Sequence, residues 1–374
     1  MGCLNSKGLS VNEPNKNIKH EQDNTSNKNR TATKGKNNIN KFIIENSILE
    51  RNKDIEENKF EYRYEINLIY AAESKDTFQI FGEDFIKRNE NNIELVINGE
   101  PNKPVTKCEL EEGENNITLK IKKTLTNISF MFDKCENLKD ISDLKYLDIR
   151  EAKSFEAMFH DCILLTDITA LQNWNISKVN NLRGMFCGCS SLIDITPLKN
   201  WNFSDAIDLN GMFGGCISLT DIKPLKDWNV SNVSDFGSLF IGCRLLSDIT
   251  PLKDWNVSNA SDFGSLFIGC VLLSDITPLK NWNILNARNL EGMFSYCSSL
   301  TDITPLKDWN VSNVSDFGNM FRECSSLSNL MPLLNWKPVN GKNFDHMFYG
   351  CKLSGHEDFE DWNLPRDQLG NIFF

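Results

Sequence analysis

The sequence has few of the residues and motifs that catalysis uses. It contains only four histidines, at positions 20, 160, 346 and 356. No Ser-His-Asp or Cys-His pairing can be argued from the sequence, and no glycine-rich phosphate loop is present. We therefore expect no catalytic residues, no cofactor, no metal and no small-molecule substrate.

Long apolar runs are also missing. No stretch approaches the roughly 18 consecutive apolar residues of a transmembrane helix, and no apolar segment typical of a secretory signal follows the start. The twelve cysteines are therefore expected to be reduced thiols. The net charge of −11 argues against a nucleic-acid partner, because phosphate binding needs a basic surface.

The most informative feature is an internal repeat with a period of 27 residues. Nine cysteines keep this interval, each after a Met-Phe or Leu-Phe pair, and seven tryptophans keep it from Trp174 to Trp336. Trp362 comes one residue early, which one deletion after Cys351 explains. The sequence predicts about ten coils over residues 124–374. The cysteine column consists of Cys135, Cys162, Cys189, Cys216, Cys243, Cys270, Cys297, Cys324 and Cys351.

The pattern inside one coil predicts an α/β repeat solenoid. Residues 236–243 carry apolar side chains at positions i, i+3, i+4 and i+7, which predicts a short helix. Residues 246–252 are apolar at every third position, so we predict a short parallel strand at Asp-Ile-Thr, ended by Pro251. Stacking such coils buries a continuous core.

Two regions precede the coils. Residues 61–123 contain the alternating stretches YEINLIY, NIELVING and NNITLKIK, which predict a small β-rich module capping the N-terminal end of the array. Residues 1–60 contain thirteen asparagines and nine lysines without a sustained period, and we predict a mostly disordered tail.

The first residues contain a lipidation motif. The start Met-Gly-Cys-Leu-Asn-Ser makes Gly2 a candidate for myristoylation and the adjacent Cys3 a candidate for palmitoylation. One myristoyl chain alone binds membranes marginally, so the second chain matters. Residues 1–41 hold eight Lys or Arg against three acidic residues, which favours an anionic membrane surface. The alternative is an unmodified polar start.

The string Trp-Asn-Val-Ser-Asn-Val, followed by Met-Phe, Cys and Ser-Ser-Leu, resembles the repeat of the BspA-like leucine-rich-repeat surface proteins. That family includes bacterial and mycoplasma surface proteins with 26-residue repeats and related protist proteins. The resemblance covers residues 124–374. It implies a leucine-rich-repeat solenoid that serves adhesion or protein binding and has no catalytic residues.

Seven aspartates recur at one coil position and form an aspartate column. Like charges on adjacent coils repel each other. Local hydrogen bonds, pairing with lysines that recur from Lys199 to Lys307, or a bound cation or basic partner would offset this repulsion. The column consists of Asp140, Asp167, Asp194, Asp221, Asp248, Asp275 and Asp302.

The cysteine column has a simple interpretation and a chemical one. Metal sites and disulfides need thiols that converge, and Cys187-x-Cys189 is the only close pair. The simple interpretation is that each repeated cysteine is a small apolar residue on a buried face, and that the tryptophans also pack in the core.

These features favour a non-enzymatic, membrane-tethered protein-binding or scaffold module. In this hypothesis acylation holds the tail on the cytoplasmic face of a membrane, and the coil surface binds a protein partner. The second hypothesis is a cell-surface adhesin of the BspA type, and the third is an enzyme.

Overall fold

The computed structural model describes residues 62–202, 205–353, 362 and 371–373. Gly2, Cys3 and the predicted tail over residues 1–60 lie outside the described residues. Their acylation and disorder therefore stay predictions, as do the boundaries of the three predicted regions.

Antiparallel strands and one helix form the region before the coils. The alternating stretches of the sequence lie in its three central strands, where buried and exposed side chains alternate, as at Ile66, Leu68 and Tyr70. The main sheet has the order β4-β3-β6-β1-β7, and β2 pairs with β5. The elements are β1 (Tyr64–Ala72), β2 (Asp76–Gln79), α1 (Glu83–Asn89), β3 (Ile93–Ile97), β4 (Glu100–Asn102), β5 (Lys107–Leu110), β6 (Gly113–Ile121) and β7 (Leu138–Asp140).

This region is hydrogen-bonded to the first coil. Strand β7 belongs to that coil and pairs antiparallel with β1. The residues around α1 also donate to first-coil carbonyls: the Gly82 amide to Met131 (3.1 Å), Arg88 Nη2 to Ser129 (2.9 Å) and Gln79 Nε2 to Asp133 (3.2 Å).

The coils form a repeat array with one 3-10 turn in each 27-residue period. Proline lies in the first turn of six of these elements, where its fixed φ suits the turn and its missing N–H costs no hydrogen bond. The 3-10 elements are Ser142–Tyr146, Thr169–Leu171, Thr196–Leu198, Lys223–Leu225, Thr250–Leu252, Thr277–Leu279, Thr304–Leu306 and Met331–Leu333.

The predicted parallel strand at Asp-Ile-Thr is therefore wrong. Pro251 lies inside the turn Thr250–Leu252 and does not end a strand. Among the coil residues that the structure describes, the first coil alone has a strand near this position, β7, because the edge of β1 supplies it with a partner. Parallel pairing between coils is limited to isolated bridges at another position, as at Asp235↔Asp262.

The predicted helix over residues 236–243 is wrong as well. The amides of Leu239, Ile241 and Cys243 each bond to the carbonyl three residues before them, whereas those of Phe236, Ser238, Phe240 and Gly242 bond to carbonyls of the next coil. Ser238 has φ 55° and Gly242 has φ 72°, which no α-helix permits. Positive φ recurs at both positions in all nine coils from Phe130 to Gly350.

Aromatic side chains stack along the core of the array. Phenylalanines from consecutive coils lie with ring centroids 5.5–6.0 Å apart, from Phe132 to Phe373. The repeated tryptophans are buried, and each donates its Nε1–H to a leucine carbonyl 30 residues earlier. Trp362 makes the same bond to Leu333, 29 residues earlier, so the one-residue deletion leaves the bond intact.

Candidate functional surface

The aspartate column turns the chain into seven of the eight 3-10 elements, and Asn329 does so for the eighth. Oδ1 of Asp248 accepts a 2.8 Å hydrogen bond from the Thr250 amide, and the other members make the same bond two residues on, at 2.6–2.8 Å. Such a bond favours a turn, because the side chain replaces a backbone acceptor. Bonds from Thr169 and Thr250 lower the pKa of Asp167 and Asp248. Local hydrogen bonding therefore stabilises these carboxylates.

The other two explanations for the column have less structural support. Among the described residues, Asp221 pairs with Lys223 at 3.2 Å, and this lysine is not in the column that runs from Lys199 to Lys307. No cluster of three or more histidine, cysteine or acidic side chains suited to a metal ion occurs in that part of the chain. A ligand or basic partner on the aspartate column stays a prediction.

The cysteine column lies in the core, with Cys351 partly exposed. From Cys162 to Cys351 each Sγ lies 3.0–3.3 Å from a phenylalanine carbonyl of the previous coil, 30 residues earlier. Burial raises the pKa of these thiols, to about 12 for Cys243 and Cys351. The thiols therefore stay protonated at neutral pH and link consecutive coils.

An apolar stripe lies one or two residues after the cysteine in four coils, and three or four residues before the aspartate column. Its side chains are 38–45% exposed, although they are large and hydrophobic. Serine occupies the same position as Leu245 in other coils, for example Ser191 and Ser299. The coil therefore accommodates a small polar side chain here, and the exposed leucines are not required by the repeat. The apolar stripe consists of Ile163, Leu164, Ile217, Leu245 and Leu272.

A second polar column, the Asx column, was missed by the sequence analysis. Its members carry the parallel bridges between coils, and each accepts a 2.8–3.0 Å bond from the amide two residues on. Asparagine next to aspartate removes a like-charge contact, since Asn289 Nδ2 donates to Asp262 Oδ1 at 3.0 Å. The recurring Ser-Asp at 27-residue spacing was the available signal. The column comprises Asn181, Asp208, Asp235, Asp262, Asn289, Asp316 and Asn343.

Burial and a neighbouring charge change the pKa of Asp208, in the N-terminal half of the Asx column. Burial raises the pKa of Asp208, and the neighbouring Asp235 carboxylate adds to the effect. The Arg183 guanidinium lies 3.6 Å from Asp208 and 3.7 Å from Asp235, so one cation serves both carboxylates. The Asx column therefore stabilises the stack and is less accessible to a partner than the aspartate column.

No helix in the described part of the chain is long and apolar enough to span a membrane. Three overlapping segments, residues 109–220, 164–276 and 271–373, match the profile of a family described as "Mycoplasma protein of unknown function, DUF285". No curated protein matches the chain, and no solved structure matches it.

Proposed function

The chain belongs to the family described as Mycoplasma protein of unknown function, DUF285, and we propose that it is a non-enzymatic protein-binding module tethered to a membrane. The proposal includes a finer fold assignment: the array is a solenoid related to the BspA-like leucine-rich repeats. The 27-residue period and the bridges between coils support that relationship. The 3-10 turns in place of strands distinguish this array from a standard leucine-rich repeat.

The apolar stripe next to the aspartate column is the observation that carries this proposal. Exposed apolar side chains that lie close together and border polar residues are typical of protein interaction sites. A row of carboxylates at the edge of such a stripe favours a partner that carries both apolar and basic groups. Because Leu245 and Leu272 occupy the same position in adjacent coils, a partner could make the same contact on both coils.

Replacing Leu245 and Leu272 together by serine tests the binding surface. The fold should tolerate the change, because Ser191 and Ser299 occupy the same coil position naturally. We expect the full-length variant to capture at least about tenfold less of its partner from cell extracts, since two exposed leucines of a contact contribute on the order of 1–2 kcal/mol each.

A double variant in the same two coils, Lys253→Ser with Lys280→Ser, is the matched control. It changes exposed residues on the neighbouring lysine column and should leave capture unchanged. Equal capture by both double variants would show that the apolar stripe is not the binding surface. Quantitative mass spectrometry of the captured proteins distinguishes the two results.

The tether depends on the N-terminal motif. Gly2→Ala should move the protein from the membrane to the soluble fraction, and Cys3→Ser should weaken membrane binding, because one acyl chain binds only marginally. Incorporation of a clickable myristate analogue into the wild type, but not into Gly2→Ala, measures the modification directly. A Gly2→Ala protein that stays on membranes would exclude the lipid anchor.

The second candidate is a cell-surface adhesin. The Mycoplasma family match and the resemblance to BspA-like surface repeats favour it. A membrane-impermeant biotin reagent applied to intact cells separates the candidates: an adhesin is labelled, whereas a protein on the cytoplasmic face is labelled only after lysis.

A further inference from the structure

Two adjacent coils present the same surface twice. Residues 245–253 and 272–280 share the sequence Leu-Leu-Ser-Asp-Ile-Thr-Pro-Leu-Lys. In both coils the first leucine, Leu245 or Leu272, is 45% exposed, and the leucine that follows it is fully buried. A partner that lies along the array therefore meets the same exposed leucine and the same aspartate twice, one coil apart.

The distance between these two coils fits one turn of an α-helix. The stacked rings of Phe236 and Phe263 have centroids 5.7 Å apart. Those of Phe240 and Phe267 are 5.9 Å apart. An α-helix rises about 5.4 Å per turn, whereas alternate residues of an extended strand are about 6.6–6.8 Å apart. A helix along the array can therefore place one side chain per turn on each coil, while an extended peptide loses register by about 1 Å per coil.

The aspartates that follow these leucines carry uncompensated charge. Asp248 and Asp275 bind backbone amides through Oδ1, and neither forms an ion pair among the described residues. Hydrogen bonds from Thr250 lower the pKa of Asp248, so this carboxylate is charged at neutral pH. The repeated cations Lys253 and Lys280 come five residues later, after the 3-10 turn. Exposed carboxylates three residues from each leucine favour basic groups in the partner.

We propose that these two coils bind an amphipathic basic α-helix of a partner protein, which lies along the array with one turn on each coil. The inference rests on the protein-binding function proposed above and adds the chemistry of the partner. Apolar residues three or four apart on the helix pack on Leu245 and Leu272. Lysine or arginine residues beside them on the helix lie near Asp248 and Asp275.

The neighbouring coils set the length of this surface. The preceding coil carries Ser218 at the leucine position, with the exposed Ile217 one residue earlier. The following coil carries Ser299 at the leucine position and continues the aspartate column with Asp302. Leucine at position 299 would therefore extend the surface by one coil, with the carboxylate already in place.

The test selects peptides without assuming their sequence. A phage library of random peptides of about 16 residues, or about four helical turns, is selected on the immobilised full-length chain. Peptides that also bind the variant Leu245→Ser with Leu272→Ser are removed. An alanine scan of each selected peptide, read by fluorescence anisotropy, locates its contact residues. We expect apolar contacts three or four residues apart with lysine or arginine between them. Contacts at alternate residues, acidic peptides, or no peptide that distinguishes the two proteins would overturn the proposal.

Two further variants test the charge and the direction of the helix. Asp248→Asn with Asp275→Asn keeps the turns, because Asn329 accepts the same bond from the Met331 amide at 3.0 Å. It should weaken peptide binding by about five- to tenfold and reduce its dependence on salt. Ser299→Leu should tighten binding of peptides with three or more turns by at least about fivefold and leave two-turn peptides unchanged. An unchanged affinity in either variant would contradict the proposed arrangement.

Capture from cell extracts separates this inference from the function on which it rests. If no helical peptide is selected but Leu245→Ser with Leu272→Ser still lowers capture, the stripe binds a partner of another shape, and the helix inference alone is wrong. If the double variant changes neither measurement, both proposals are wrong. Sedimentation of the free chain covers the remaining occupant, because a dimer that the double variant abolishes would identify a second copy in place of the helix.

Discussion

The sheet before the coils and the coil array bury their side chains by different means. In the sheet, pairing joins residues far apart in sequence, such as Tyr64 with Ile121, and each strand is unique. In the array, stacked residues are 27 apart, and adjacent coils can be nearly identical. The sheet therefore depends on alternating side chains, which a sequence shows directly. The array depends on a repeated backbone path, which a sequence shows only indirectly.

Deletions within the array are expected to have the largest effect on folding. Removing residues 228–254 deletes one full period and joins Asp227 to Trp255, so the Phe, Cys and Trp columns continue with one member fewer. We expect the shorter protein to fold, because the stability of a repeat array is approximately a sum over coils and their interfaces. Removing only residues 228–240 misaligns every column and should unfold the neighbouring coils.

Circular dichroism and thermal melting of both deletion variants measure this difference. Coils 227–253 and 254–280 differ at two of 27 positions, so the longer deletion changes almost no contact type. If both deletions abolish the melting transition, the coils are not interchangeable.

Alkaline pH should act far more on the array than on the sheet. Burial raises the pKa of all nine thiols of the cysteine column, to about 12 for Cys243, while the sheet contains Cys108, with a pKa of about 11. Above pH 9 the unfolded chain loses thiol protons that the folded chain keeps. Stability then falls with rising pH, by up to about 1.4 kcal/mol per pH unit for each thiol.

Hydrogen exchange between pH 7 and 10.5, corrected for the intrinsic exchange rate, measures this loss by region. Coil amides should lose protection before the amides of β1 and β6. Cys243→Ala with Cys270→Ala should flatten the pH dependence, although it lowers stability at pH 7. Equal loss of protection in both regions would contradict the prediction.

The smallest predicted effect concerns one backbone angle. Gly242 has φ 72°, and a Cβ atom there would only touch Gly215 at 3.7 Å, so the change to alanine adds backbone strain without a clash. We expect Gly242→Ala to cost about 1–2 kcal/mol in the free energy of unfolding. Gly242→Asn should cost less, because asparagine tolerates this conformation. Chemical denaturation measures both, and an equal cost would mean that φ is not the cause.

The repeat array could be predicted because three residue types share one period. The backbone inside each coil could not be predicted in the same way. The apolar spacing of Phe236, Leu239 and Phe240 fits a helix, and it fits equally well a segment in which every second amide bonds to the next coil. Glycine before cysteine, as at Gly188, Gly215 and Gly242, was the sequence signal against a helix. It is incomplete, because Tyr296 and Glu323 also adopt positive φ at this position.

The candidate sites were predictable to different degrees. The sequence showed the aspartate column as a repeated series. Local hydrogen bonding, which the structure shows as bonds from the amides two residues later, was one of several alternatives for offsetting the charge repulsion. The contact of Asp133 with His160, 2.7 Å between Oδ1 and Nδ1, was hidden, because the residue type at that position changes between most coils. Only the stacking of equivalent positions brings such residues together.

The amides over residues 236–242 that reach a neighbouring coil all point toward the coil that follows. Aligned peptide groups add their dipoles, as they do in a helix. In this segment carbonyl oxygens therefore face the first coil and amide hydrogens face the last, whereas the amides of Ser234 and Asp235 donate in the opposite direction, to Ile207. Arg88 and the donors of Gly82 and Gln79 meet the carbonyl end and suit its partial negative charge.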